Sequence, residues 1–257
     1  KVAGIISGVE HMVDVDAVEP VDPQSGRRRL SGLAAVILVA LTAAVAQSFG
    51  RFTLGVLLPA IRDDLDLSNT LAGTLATVNV GAYLMGTLLV AAASSRFRLL
   101  AVMRLGMSLA VVGLGLAAVA PGPWVLGVGL FLTGLGGACT WIPAPVVAAD
   151  ALAPERRAFA IGLLAAGMGL GVVFTGQLAA FVRATAGDAS WRTVYVVQCI
   201  IGVVVVAAAW LLVGHRQDRP SSKGGFGGFG ALRRMPGWIP YTSAFTSFGL
   251  MYLLVIA

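Results

Sequence analysis

Charge is scarce in this chain. Only 12% of its 257 residues are Asp, Glu, Lys or Arg, the hydrophobic fraction is 58%, and the mean hydropathy is +0.88. A soluble globular domain carries about 25% charged residues, so most of the chain is not a water-exposed domain. Metal and disulfide chemistry are equally short of material, with two cysteines and two histidines. Cys139 and Cys199 fall inside apolar runs, and His11 and His215 stand in polar segments with no ligand-spaced partner, so neither a disulfide frame nor a metal site is expected. No His-Glu zinc motif and no serine with a positioned base occurs in the apolar runs, which leaves an embedded enzyme without its chemistry. The glycines of "GGFGGFG" follow no strand and precede no Gly-Lys-Ser/Thr, so they read as a linker and not a phosphate cradle. The net charge of +6 comes without a basic aromatic surface, and no nucleic-acid partner is expected.

What the chain has in quantity is apolar sequence in long runs. Seven are long enough to cross a bilayer, which takes about 20 residues of helix because lipid offers backbone amides no other partners. They lie near Leu30 to Leu58, Thr70 to Ala93, Leu99 to Ala120, Trp124 to Ala149, Ala158 to Val182, Thr193 to Val213, and Trp238 to Ala257. The fold class that follows is all-α: a polytopic membrane protein with a six-helix transmembrane bundle and the start of a seventh helix. Residues 1–29 form an acidic, disordered cytoplasmic tail, 30–213 the bundle, 214–235 a cytoplasmic linker rich in Gly, Ser and Arg, and 236–257 the truncated start of a second half. A chain that begins with Lys1 and stops inside an apolar run reads as a fragment.

Short polar punctuation separates the runs: Pro59 with "RDDLDLS", then "SSRFR", "PGP", "DALAPERR" and "RATAGDASWR". Short loops place consecutive helices side by side and antiparallel. Fourteen of the 18 Lys and Arg then fall on one side, three (Arg62, Arg183, Arg192) on the other, and Arg51 inside the first run. Cations are retained in the cytoplasm, so the amino terminus and the linker are expected there, in a prokaryotic plasma membrane. A reporter fused near Lys223 should be cytoplasmic and one fused within residues 121–123 should not; finding both on one side would sink the alternating six-span topology.

Polar side chains inside the runs are the candidates for chemistry, because an unpartnered polar group in hydrocarbon costs several kcal/mol. Gln47 and Arg51 are four residues apart and share a face of the first helix; Thr77 and Asn79 lie in the second, Thr133 and Thr140 in the fourth, Gln177 in the fifth. For the neutral ones, an interhelical hydrogen bond competes closely with a role toward a ligand. Glycines on the fourth helix (Gly127, Gly134, Gly137) and the stripe Gly162, Ala166, Gly169, Val173, Gly176 on the fifth read first as packing surfaces. Pro143 and Pro145 in "WIPAPVV" should bend the fourth helix.

Several local patterns resemble the first half of a major facilitator superfamily transporter. "GVLLPAIRDDLDLS" is similar to the family's L-P-x-I-x-x-D-L-x-L-S exit from the first helix, and "LFLTGLGGA" to R-x-x-q-G-x-G-g-A in the fourth, with Leu130 at the arginine position. "PERRAFAIGLLAAGMGLG" and "SWR" are similar to the connections before the fifth and sixth helices. The loop "AAASSRFRLL" keeps Arg96 and Arg98 of G-x-x-x-D-R-x-G-R-R but has Ser95 for the aspartate, and "GMGLGVVFTG" has Val172 and Thr175 where the antiporter pattern has proline and glycine.

The resemblance implies a secondary transporter that moves a small molecule by alternating access, completed by the carboxy-terminal half of the same carrier, with no cofactor and no catalytic residue. It places Gln47, Arg51, Asn79, Thr133 and Thr140 along the substrate path, and Arg96, Arg98, Asp150, Glu155 and Arg156 in the cytoplasmic loops that gate it. Two roles stay open for Arg51: a structural one, holding helix-end carbonyls or a carboxylate of the other half, and a grip on an anionic cargo through its planar fork of five donors. No Asp or Glu falls inside a span, so a proton-driven carrier would titrate Asp150 or a group in the other half. The alternatives are a seven-helix membrane receptor or signalling protein and a membrane-embedded enzyme.

Overall fold

The computed structural model describes residues 32–94, 96–212, 237–240, 242–244 and 246–247. The expected tail and linker lie outside the described residues; of 236–257, the stretches 238–240, 242–244 and 246–247 are helical. Six helices are long and apolar enough to cross a membrane: α1 Gly32–Asp64, α2 Asn69–Ala93, α3 Leu99–Ala118, α4 Pro123–Asp150, α5 Pro154–Ala186 and α6 Asp188–Leu212. They alternate in direction. The bundle therefore has a near end, where α1 begins beside the exit of α4, and a far end, where Asp64 of α1 meets Arg192 of α6.

The far end shows how polar groups terminate these helices. Leu67 N–H reaches back to the Arg62 carbonyl (2.9 Å), Leu65 N–H to Ile61 (3.0 Å), and Asp66 takes φ 49°, which together close α1. Ser68 then caps α2 by accepting from Leu71 N–H (3.2 Å). Pro59 lies inside α1 and not in the hinge that sequence punctuation suggested; the first helix runs to Asp64. A membrane helix tolerates such a proline because neighbouring helices cover the backbone it disturbs. The "SWR" stretch has a physical role at this end. Asp64 Oδ2 accepts from Trp191 Nε1 (2.9 Å) and Arg192 Nη1 (2.8 Å), while Arg192 also donates to the Ala120 carbonyl (3.1 and 3.0 Å) and stacks on Trp191 (4.2 Å). One arginine so ties the ends of α1, α3 and α6.

Within lipid, water cannot drive helices together, and close backbone contact does so instead. α4 is the centre of that contact and has glycine on three sides. Gly129 and Gly136 face Gly113 and Gly106 of α3: a Cβ at Gly136 would sit 2.5 Å from the Gly106 carbonyl, and one at Gly113 2.6 Å from that of Gly129. Both pairs are seven residues apart, two turns of helix, so antiparallel α3 and α4 touch at two matched points. Gly134 abuts the Asn79 carbonyl of α2, and Gly137 the Ala46 carbonyl of α1 (3.2 Å). The prolines act as expected: α4 breaks after Trp141, and its last turns restart at Ala144.

The fifth helix differs from its expected packing. Gly167 and Gly171 are the glycines that meet α1, against Ala40 and Ser48, whereas nothing lies within 4 Å of a Cβ built at Gly162, Gly169 or Gly176. The reason is rotational: the stripe occupies the side of α5 turned away from α1.

Candidate functional site

The middle of α1 is a π-helix, Ala44–Phe52, set between α-helical halves. Such widened turns are rare and accompany functional positions. Polar contacts from three neighbours hold this one. Ser48 Oγ donates to the Met168 carbonyl of α5 (2.8 Å). The Asn79 amide donates to the Gly50 carbonyl (3.1 Å), to the Leu130 carbonyl (2.8 Å) and to Thr133 Oγ1 (3.0 Å). Just beyond the π segment, Thr53 Oγ1 donates to Gln198 Oε1 (2.9 Å), whose Nε2 donates to Thr175 Oγ1 (3.2 Å), all three fully buried.

Two of the expected path residues come together on this scaffold. Gln47 Nε2 lies 3.4 Å from Tyr83 Oη, and the Arg51 guanidinium sits over the Tyr83 ring, 4.9 Å from its centroid. Gly137 of α4 forms the floor, its Cβ position 3.2 Å from Gln47 Oε1 and 3.7 Å from Tyr83. Gln47 is buried, and Arg51 and Tyr83 are half-buried. Arg51 is 19 residues past Gly32 in a 33-residue helix, just beyond its midpoint. A cation at that depth, half-buried and stacked on an aromatic face, can bind an anion with charge-assisted hydrogen bonds.

Asn79 and Thr133 lie beside this cluster as buried ties between α1, α2 and α4: the Asn79 amide reaches the Gly50 and Leu130 carbonyls and Thr133 Oγ1, and the Thr133 hydroxyl donates to the Leu130 carbonyl. Thr140 is fully buried and returns its hydroxyl to the Gly136 carbonyl (2.8 Å). Thr77 and Gln177 are exposed. In the near-end loops Arg96, Arg98, Asp150, Glu155 and Arg156 are all exposed, and Asp150 faces Arg157 (3.9 Å).

Tyr83 is the site residue that sequence reasoning passed over. Its signal was its position four residues after Asn79, which puts both on one face of α2 against α1. Gln198 and Ser48 were invisible individually, since a lone polar residue in an apolar run does not name its partner. Among the described residues, no group of three or more His, Cys, Asp and Glu is gathered as a metal centre would be.

The family model for the Major Facilitator Superfamily matches residues 33–257. A protein of Haemophilus influenzae described as a putative metabolite transport protein is 29% identical over 170 residues, 66% of this chain and 40% of that protein. Among solved structures, a mutant of the peptide transporter POT in complex with alafosfalin superposes with a TM-score of 0.62 at 16% identity, over 88% of this chain and 46% of the other. A POT family transporter in complex with a thioalcohol-conjugated peptide gives 0.60 at 12% identity, over 88% and 47%. At these identities the structural likeness concerns the fold. The chain spans less than half the length of each of these relatives.

Proposed function

Because the chain belongs to the Major Facilitator Superfamily, we propose that it is the amino-terminal half of a secondary transporter that moves a small anionic molecule by alternating access. The observation that carries this reading is the Gln47, Arg51 and Tyr83 cluster, a cation held near mid-helix where α1, α2 and α4 meet. The carboxy-terminal half of the carrier would face this cluster, and the near end would face the cytoplasm. A family of carriers and a relative named as a transport protein favour this over a receptor or an embedded enzyme. Alternating access needs surfaces that separate at one end while they close at the other. Gly55, in the far half of α1, and Gly162, near the start of α5, both have open space beyond their Cα.

The test uses the intact carrier with Cys139 and Cys199 replaced by serine and a single cysteine introduced by Gly55→Cys or Gly162→Cys. Adding substrate should move the two labelling rates with a membrane-impermeant maleimide in opposite directions. Rates that rise or fall together would remove alternating access.

A further inference from the structure

The far end of α5 leaves room beside it. A groove of about 210 Å³ opens there between the far halves of α1 and α5 and the start of α6, and it shares no residue with the Gln47, Arg51 and Tyr83 cluster. Leu57 and Ala60 of α1, Ala179 and Val182 of α5 and Val194 of α6 form apolar walls, all buried but the half-buried Ala60. Gly176 also lines it, and a Cβ built there meets nothing within 4 Å. From Gly176 to Arg183, which stands at the mouth, is seven residues of α5, so the groove runs about 10 Å along the helix.

Two charged side chains line the groove, Arg183 and Asp188, and both are exposed. A glycine brings them together. α5 ends at Ala186, Gly187 takes φ 80°, and its N–H closes on the Arg183 carbonyl (3.0 Å), so the chain turns back and sets Asp188 against Arg183. The carboxylate engages Nε and Nη2 of the guanidinium, the latter at 3.1 Å. This fork leaves Nη1, with two N–H donors, and the outer lone pairs of Asp188 to other partners. Trp191 lines the same mouth and donates its indole N–H to Asp64, which places the mouth at the level of the headgroups, where tryptophan belongs. We propose that the groove binds phosphatidylethanolamine from the far-end leaflet, with one acyl chain against the apolar walls, the phosphate on Arg183 Nη1 and the ammonium on the Asp188 carboxylate.

Selectivity comes from the headgroup. Any lipid tail fills an apolar groove about equally well, since the surrounding tails are as apolar as the walls. A paired Arg183 and Asp188 carry no net charge, so they do not concentrate anionic lipid; they match a headgroup that itself carries one charge of each sign. Phosphatidylcholine has both charges, but its quaternary ammonium has no N–H to donate to Asp188. Phosphatidylglycerol has no cation and would bring its negative charge beside that carboxylate. The advantage over phosphatidylcholine is that of one exposed ion pair, about 2- to 5-fold.

The test is native mass spectrometry of the intact carrier titrated with phosphatidylethanolamine, phosphatidylcholine or phosphatidylglycerol of identical chains. The wild type should retain phosphatidylethanolamine about 2- to 5-fold better than phosphatidylcholine at low salt, and better than phosphatidylglycerol. Asp188→Asn leaves the Arg183 charge unopposed, so the preference should pass to phosphatidylglycerol. Arg183→Gln with Asp188→Asn should bring phosphatidylethanolamine level with phosphatidylcholine. Ala180→Phe, at an exposed position lining the groove, fills it and keeps both charges, so it should cut retention of phosphatidylethanolamine several-fold. Equal retention of phosphatidylethanolamine and phosphatidylcholine by the wild type would overturn the site. So would an unchanged ranking in Asp188→Asn, or undiminished retention in Ala180→Phe, the result expected if the other half of the carrier covers this groove.

Discussion

Glutamine at position 51 is expected to weaken binding of an anionic substrate by about 10- to 150-fold, the range set by the 1.5–3 kcal/mol of a hydrogen bond to a charged group. Membrane abundance should stay near wild type, because Ser48, Thr53 and the Gly50 carbonyl supply polar ties that hold α1 in place. Arg51→Lys should fall between. Lysine keeps a positive charge but presents a compact ammonium, without the planar fork or the stack over Tyr83. The measurement is substrate affinity in the purified intact carrier, by calorimetry or competition, with abundance scored separately. Weakened affinity in both variants at normal abundance supports anion binding at Arg51. Wild-type affinity in Arg51→Gln would remove the cation from the substrate site.

The site makes sense of why Arg51 is tolerated near the middle of an apolar helix. A guanidinium facing hydrocarbon costs at least about 2.5 kcal/mol, so it must find a partner or a wet space. Its ring partner is Tyr83, itself fixed by Gln47 one turn earlier on α1. The π segment sets the direction of both side chains, and Asn79 sets the segment by grasping the Gly50 carbonyl from α2.

The helices were legible from the sequence because their cause is local. A run of about 20 apolar residues must be helical in lipid whatever its neighbours are, and of the first six of the seven expected spans, all but the first match the observed helices to within five residues at both ends. The first did not, for a local reason as well: Pro59 looks like punctuation, yet α1 carries it and ends six residues later than expected, at Asp64. What the sequence withheld was rotational. Whether Gly162 or Gly167 faces α1 depends on which side of α5 docks, and a helix rich in small residues all round gives no stripe to decide it. The π-helix was hidden for a similar reason. Its widened turns are held by the Asn79 side chain of α2 and by the bond from Ser48 to the Met168 carbonyl of α5, contacts between residues up to 120 positions apart. Arg51 and Gln47 were legible as a pair from their spacing, but the residue that joins them was not.

The two kinds of glycine can be separated by one substitution made twice. At Gly136 a Cβ would lie 2.5 Å from the Gly106 carbonyl and 2.6 Å from the Ala110 nitrogen, both backbone atoms that cannot swing aside. Gly136→Leu must therefore push α3 and α4 apart, and since α4 also carries the Gly134 and Gly137 contacts, the displacement spreads to α2 and α1. The expected cost is at the upper end of overpacking, about 3 kcal/mol or more, seen as lost thermal stability in detergent or failure to assemble. At Gly162 a Cβ meets nothing of this chain within 4 Å, and leucine replaces a poor helix former with a good one, so Gly162→Leu should leave the fold no less stable, with a gain of up to about 0.8 kcal/mol from helix propensity. Its effect should appear in transport instead, slowed because position 162 lies on a face proposed to move against the other half. If Gly136→Leu leaves thermal stability unchanged, close approach of α3 and α4 does not hold the bundle. If Gly162→Leu destabilises the carrier as severely, the open face of α5 is a packing surface, and its glycines serve assembly and not motion.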